Sequence, residues 1–197
     1  MTGVVELDAR AVAESVRVAG AVKPGQWELP TPCPDWNLGE LLAHMAGQHA
    51  GFAAALRGED AGLAAFAPLP LGDDPAAGYA AIADDVLAAF AAPGTQERTV
   101  LLPEIHPALR FPAPTAIGFH LLDYVVHAWD VAVSIGTTVD LDPQVLAAAL
   151  SVAEQVPQGA SRTAPGAAFG PVLPTHDGAS VLDRVLTLSG RSPNWRG

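Results

Sequence analysis

Apolar residues recur with helical spacing along most of the chain, and clusters of proline and glycine separate the segments they mark. This pattern predicts helices over residues 7–22, 38–57 and 75–90, each followed closely by proline or glycine. A fourth helix is predicted over residues 115–135, before Gly136, and a fifth over residues 142–155. The chain is therefore expected to be mainly helical.

The second predicted helix has the clearest start signal. Asn37 is a suitable N-cap, and Glu40 three residues later completes a capping box. Trp36 and Leu41 are spaced to form a hydrophobic staple around that cap. The fifth helix has Asp142 as its N-cap and a proline at its first position.

Residues 96–112 interrupt the helical pattern with two short β-branched or aromatic stretches, which predict extended segments and a possible hairpin. Residues 58–74 and 159–178 are rich in glycine and proline and are predicted to be loops, and VLDRVLTLSG predicts a last short helix. The expected fold is a four-helix bundle with short extended segments. We expect one domain over residues 1–197, in which residues 159–197 form a C-terminal loop and short helix packed on the bundle.

Charge and composition exclude several classes of function. The net charge is -11, and nine of the ten basic residues are arginines scattered along the chain, so no basic surface for nucleic acid is expected. No apolar run approaches the roughly 20 residues needed to cross a bilayer, and no secretion signal is apparent, so a cytoplasmic protein without a membrane partner is expected. The single cysteine, Cys33, excludes an internal disulfide.

The stretch HLLDYVVHAWD carries the most informative polar side chains. His120, Asp123, His127 and Asp130 are spaced by three, four and three residues, so on a helix they share an arc of about 80°. The predicted fourth helix contains no Lys, Arg or Glu. This narrow stripe could be a functional site, a solvated face, or an ordinary buried hydrogen-bond network. A helix that is apolar nearly all round favours burial, where His and Asp need partners or a metal.

A metal held by this stripe needs a further ligand from another helix, because one helix cannot surround an ion. His44 lies at the edge of the apolar arc of the second helix and is the candidate, although such a histidine is often only structural. His49 lies about 140° round the helix from His44, so these two histidines cannot chelate one ion.

Three segments together resemble a known family: TPCPDWNLGELLAHMAG, LLDYVVHAWDVAVSIG and the ending FGPVLP with LDRVLTLSGRSPNW. They are similar to the actinobacterial metal-binding branch of the DinB-like superfamily, which includes the N-terminal domain of mycothiol-dependent maleylpyruvate isomerase. The resemblance implies a four-helix bundle that holds a divalent metal, usually zinc, through His44, Asp123 and His127. The isomerase has glutamate where this chain has Asp123, and it has a further C-terminal domain, so its isomerase activity is not carried over.

Two imidazoles and one carboxylate would leave a zinc ion with an open position, as in catalytic sites. The resemblance implies that this position receives the thiol of mycothiol, which would be activated to attack a small electrophilic substrate. Asp130 would then be a catalytic acid or base, or an acceptor that supports a ligand imidazole. His120 could line the pocket.

The role of Cys33 is open at this stage. Its position between two prolines just before a helix N-terminus gives some support to a nucleophile, but no histidine is near it in sequence and the resemblance implies an external thiol instead.

The function expected from the sequence is a thiol-dependent transferase or isomerase-like enzyme with a divalent metal. The alternative is a metal-binding or small-molecule-binding scaffold without turnover. A homodimer is compatible with such a bundle. GxSxG, P-loop, GxGxxG and HExxH motifs do not occur, so serine hydrolases, nucleotide binding and common zinc proteases have no support.

Overall fold

The computed structural model describes residues 2–59, 62–163 and 167–197. In these residues the chain forms the helices α1 (Val4–Ala19), α2 (Leu38–Arg57), α3 (Pro75–Ala91), α4 (Ala113–Ser134), α5 (Pro143–Ala153) and α6 (Val181–Leu188). The two strands are β1 (Thr99–Leu101) and β2 (Arg110–Pro112), and short 3-10 helices span Leu63–Phe66 and Ala160–Arg162. The mainly helical prediction is confirmed. The predicted loops 58–74 and 159–178 each include residues outside the described ranges.

The first four helices form the bundle. α1 packs against α3 and α4, and α2 packs against the same two helices from the other side. α5 packs on α4 and α1, and α6 packs on α5. Because α2 and α4 are neighbours, polar side chains on their facing sides meet inside the bundle. The apolar residues Leu41, Met45, Leu121 and Val125 of these two helices are fully buried.

The caps predicted for α2 and α5 are confirmed by their contacts. The Asn37 side chain accepts a hydrogen bond from the backbone N–H of Glu40, and the Glu40 carboxylate accepts one from the backbone N–H of Asn37. The Asp142 side chain accepts from the N–H of Gln144 at the start of α5. The first turn of α2 is therefore fixed next to the turn that carries Cys33 and Trp36.

The bounds of the first helix differ from the prediction over residues 7–22. It begins at Val4, after the N-cap Gly3, and ends at Ala19. The N–H of Gly20 bonds to the carbonyl of Val16, and the chain then turns before the proline that was expected to stop the helix. α4 begins at Ala113, directly after β2.

The expected hairpin is present. β1 and β2 pair antiparallel, with Val100 opposite Phe111. Residues 102–109 connect the two strands, and the side chain of Gln48 on α2 donates to the carboxylate of Glu104 in this connection. The hairpin thus places an acidic side chain beside α2. No helix within the described ranges is long and apolar enough to cross a membrane.

Candidate metal centre

Helices α2 and α4 bring the three predicted ligands together. One ligand atom from each of His44, Asp123 and His127 can be chosen so that all three lie within 4.8 Å of one another. The His127 Nε2 and Asp123 Oδ1 atoms are 3.4 Å apart. Ligands at about 2.0–2.2 Å from a tetrahedral zinc ion are separated by about 3.4 Å, so this pair has the spacing of two zinc ligands. The donor set of two imidazoles and a carboxylate suits a divalent metal.

The centre is buried on one side and open on the other. His127 is 4% exposed, whereas the Asp123 side chain is 20% exposed. His44 is half-buried, and the indole of Trp36 stacks on its ring with the centroids 4.3 Å apart. Trp36 belongs to the turn before α2. In this turn the Thr31 hydroxyl accepts a hydrogen bond from the backbone N–H of Cys33. A small molecule can therefore approach from the side of Asp123 and His44.

The two imidazoles have opposite pKa shifts. Burial, together with nearby His127, lowers the pKa of His44 to about 4. Burial also disfavours charge on His127, but Asp123 and the hydrogen bond to Asp130 outweigh it and raise the pKa of His127 to about 10. At pH 7 His44 is therefore neutral, whereas His127 carries a proton that a metal would have to displace.

The Nδ1 side of His127 faces a buried carboxylate. The Asp130 Oδ2 atom accepts from His127 Nδ1 at 2.9 Å, from Cys33 Sγ at 3.3 Å and from Arg191 Nη2 at 3.2 Å. Burial alone would raise the pKa of Asp130, but Arg191 and His127 lower it below its usual value. Asp130 is thus an ionised group that orients a candidate ligand.

Cys33, His127 and Asp130 form a second group with metal-ligand spacing in the described part of the chain. Arg191 Nη2 already contacts two of its members, at 3.0 Å from Cys33 Sγ and 3.2 Å from Asp130 Oδ2. A guanidinium is always charged, so a metal ion bound there would meet a positive charge at contact distance. The geometry therefore favours the Nε2 side of His127, with His44 and Asp123, as the metal position.

His120 belongs to a different cluster. Its Nδ1 atom is 2.7 Å from Asp8 Oδ1 on α1, and its Nε2 atom is 3.1 Å from His49 Nδ1 on α2. All three side chains are fully buried, and the ring of His49 stacks on Tyr124. Burial, and then His120, lower the pKa of His49 well below its usual value. The polar contacts of His120 are thus made within this network, which joins three helices.

The polar stripe of α4 therefore has two environments. His120, His127 and Asp130 are buried, which rules out a solvated face for these three residues. His120 belongs to an ordinary buried hydrogen-bond network, which was one of the three alternatives for the stripe. Asp123 and His127 instead lie close to His44. His44 and His49 face different clusters, as their angular separation on the helix predicts.

Two residues near the centre could not be identified from the sequence. Arg191 follows α6 and is far from α4 along the chain, and no helical spacing relates it to Asp130. Glu104 lies in the hairpin connection, where its carboxylate accepts from Gln48 Nε2 at 2.7 Å. Partial burial and nearby Asp123 raise the pKa of Glu104, against the effect of Gln48. No sequence pattern marks Glu104, because its position depends on how the hairpin packs beside α2.

An open groove of about 490 Å³ adjoins the turn before α2. Its lining includes Thr31, Pro34, Trp36 and Trp195. Trp36 connects this groove to the candidate metal centre, since the same side chain stacks on His44.

Sequence comparisons relate the chain to two mycobacterial proteins and to one family model. The chain is 29% identical over 174 residues to Uncharacterized protein Rv0738 of Mycobacterium tuberculosis strain ATCC 25618 / H37Rv, covering 87% of this chain and 88% of the relative. Uncharacterized protein MT0763 of strain CDC 1551 / Oshkosh shows the same identity and coverage. No solved structure matches the chain. The sequence-family model of the mycothiol maleylpyruvate isomerase N-terminal domain matches residues 9–132, which contain the candidate ligands. The chain therefore belongs to that family.

Proposed function

We propose that this protein binds one divalent metal ion, with zinc expected, through His44, Asp123 and His127. The observation that carries the proposal is the convergence of these three ligand atoms from α2 and α4 within 4.8 Å. Asp123 supplies a carboxylate and His44 is neutral at pH 7, so the proton on His127 is what a cation would have to displace. Three protein ligands leave a position for an external molecule, as in catalytic zinc sites.

We further propose that the external molecule is the thiol of mycothiol, in keeping with the family to which the chain belongs. A bound zinc ion would supply a thiolate near neutral pH. Asp130 supports this chemistry from the buried side by holding the His127 ring, rather than by touching the substrate, because it is fully buried and already accepts three hydrogen bonds. The reaction would be transfer of the thiol to a small electrophile, or an isomerisation that proceeds through its addition.

Glu104 is the candidate for proton transfer at the open side. Its carboxylate is held by Gln48, which lies one helical turn after His44 on α2, and it lies close enough to Asp123 for their charges to interact. A carboxyl at this position can accept a proton from a bound molecule and return it, and its raised pKa favours the protonated form. The groove beside Trp36 would accommodate the remainder of the thiol or the electrophile.

The metal proposal is tested by elemental analysis and zinc titration of the purified protein. We expect about one zinc ion per chain, because the three candidate ligands of one chain converge on a single point. Protein that is purified without metal and stays metal-free during the titration would show that the proposal is wrong.

The thiol proposal needs a separate measurement. Thermal unfolding is followed with zinc alone, mycothiol alone, and both together, and extra stabilisation is expected only when both are present. S-methylated mycothiol is the matched control, because it keeps the rest of the molecule but has no free thiol. A zinc-binding protein that shows no thiol-dependent stabilisation would favour the scaffold function instead.

Metal binding in the absence of thiol should release protons. The pKa of His127 is raised to about 10 in the metal-free protein, so at pH 7 a metal must displace its proton, whereas His44, with a pKa of about 4, has none to lose. We expect about one proton released per zinc ion at pH 7, and an apparent affinity that rises about tenfold per pH unit below the pKa of His127.

Calorimetric titrations in two buffers with different ionisation enthalpies measure this number. The observed enthalpies would be equal in both buffers if His127 were already neutral before the metal binds.

A further inference from the structure

The segment after α6 inserts an arginine into the protein interior. Arg191 is 8% exposed, and its Nη1 atom donates to the carbonyl of Ser189 at 3.1 Å. Its Nη2 atom lies 3.2 Å from Asp130 Oδ2 and 3.0 Å from Cys33 Sγ. A buried guanidinium needs partners of this kind, because desolvating an unpaired charge is costly. The C-terminal segment thus contacts the same carboxylate as a candidate metal ligand.

Asp130 connects Arg191 to His127. The His127 Nδ1 atom is 2.9 Å from Asp130 Oδ2, and an ionised carboxylate can only accept, so Nδ1 carries the hydrogen. The other ring nitrogen, Nε2, faces Asp123 at 3.4 Å. An outer hydrogen bond of this kind sets both the tautomer and the orientation of a ligand histidine. The direction of the Nε2 lone pair therefore depends on where Asp130 is held.

Arg191 is well suited to hold Asp130. Among the described residues, Asp130 Oδ1 has no hydrogen-bond partner, so the carboxylate is oriented through Oδ2 alone. Of the groups that contact Oδ2, His127 and Asp130 are on the same helix and Cys33 is a weak donor. Arg191 supplies a charge-assisted hydrogen bond from a different part of the fold.

We infer that Arg191 is a positioning residue of the metal centre: it acts through Asp130 to keep His127 Nε2 directed at the metal. This inference rests on the proposed metal binding. It makes the affinity of a site built by α2 and α4 depend on the segment that follows α6. It also assigns Arg191 the role of a fixed cation on the Nδ1 side of His127, where Cys33 and Asp130 would otherwise offer a second metal position.

The test is zinc affinity measured by competition with a chromophoric chelator. Loss of an outer partner of a metal ligand weakens metal binding by about 10–100-fold, and because Arg191 acts through such a partner we expect a loss of about 10-fold in Arg191→Gln. Arg191→Lys keeps the charge but not the planar fork, and an intermediate loss is expected. The matched control is Arg184→Gln, which removes an arginine of α6 that pairs with Glu154 at the surface and should leave the affinity unchanged.

A double-mutant cycle distinguishes positioning from general destabilisation. If Arg191 acts through Asp130, the variant Asp130→Asn with Arg191→Gln should bind zinc no more weakly than Asp130→Asn alone. The visible spectrum of the cobalt-loaded protein should change in Arg191→Gln, because a turned His127 alters the ligand geometry. Circular dichroism at the titration temperature establishes that each variant is folded. If Arg191→Gln does not fold, Arg191→Lys replaces it in these measurements.

The outcomes separate the inference from the proposed function. Wild-type protein that binds zinc while Arg191→Gln and Arg191→Lys bind it equally well would overturn the inference alone. Additive losses in the double variant would also overturn it, because they would show that Arg191 acts independently of Asp130. Wild-type protein that binds no zinc would overturn the proposed function and the inference with it.

Discussion

His127→Ala is expected to reduce zinc affinity by more than about 100-fold, which exceeds the loss typical of an outer partner of a metal ligand. His127 is the residue on which the centre depends most, because its Nε2 atom faces Asp123 and its Nδ1 atom bonds to Asp130. Alanine removes a ligand and also leaves the carboxylate of Asp130 without one of its donors. The measurement is chelator competition at pH 7 with the folded state monitored by circular dichroism.

The matched control for His127→Ala is His176→Ala. His176 is exposed in the loop before α6, and among the described residues its side chain hydrogen-bonds only to the backbone of Asp177, so His176→Ala removes one imidazole without disturbing the centre. The zinc affinity of His176→Ala should equal that of the wild-type protein. Equal affinity in His127→Ala would place the metal elsewhere in the chain.

Asp8→Ala is expected to lower the free energy of unfolding by about 1–3 kcal/mol, the cost of leaving a buried polar group without its hydrogen-bond partner. The Asp8 and His120 side chains are fully buried and 2.7 Å apart, and His120 also contacts His49. Without Asp8 the Nδ1 atom of His120 stays buried without its hydrogen-bond partner, and α1 loses its hydrogen bond to this residue of α4. Urea unfolding of the metal-free protein measures the change.

Glu6→Ala provides the control on the same helix. Glu6 pairs with Arg10 at the surface, where ion pairs contribute about 0–1 kcal/mol, so a small change is expected. Folded Asp8→Ala should still bind about one zinc ion per chain, because its network makes no hydrogen bond to the three candidate ligands within the described ranges. Loss of zinc binding with unchanged stability would contradict the separation of the two clusters.

Features that depend on neighbouring residues were predictable from the sequence. The capping box of α2, the proline starts of α3 and α5 and the hairpin before α4 are each set by residues a few positions apart. Such signals act before any long-range contact forms, which is why the predicted helices appear with small shifts at their ends. The largest shift concerns α1, which begins and ends about three residues earlier than predicted, so that it stops before the proline that was expected to end it.

Features that depend on residues far apart in the sequence were only partly predictable from it. Helical spacing showed that Asp123 and His127 share a face, but the choice of His44 as their companion came from the family resemblance. Spacing grouped His120 with them, although the structure places it with Asp8 and His49 instead. The angular position of a residue on a helix predicts its face, whereas its partners depend on which helices pack against that face.

By itself, the sequence determined the helices, their caps, the hairpin and the narrow polar stripe of α4, because local propensity and periodicity control these features. The tertiary structure alone decided how the stripe is divided between two clusters. It also brought Arg191 to Asp130, and Glu104 to Gln48 on the helix that carries His44. The physical reason is that burial compels each ionisable side chain to find a partner, and the packing of the helices decides which partner is within reach.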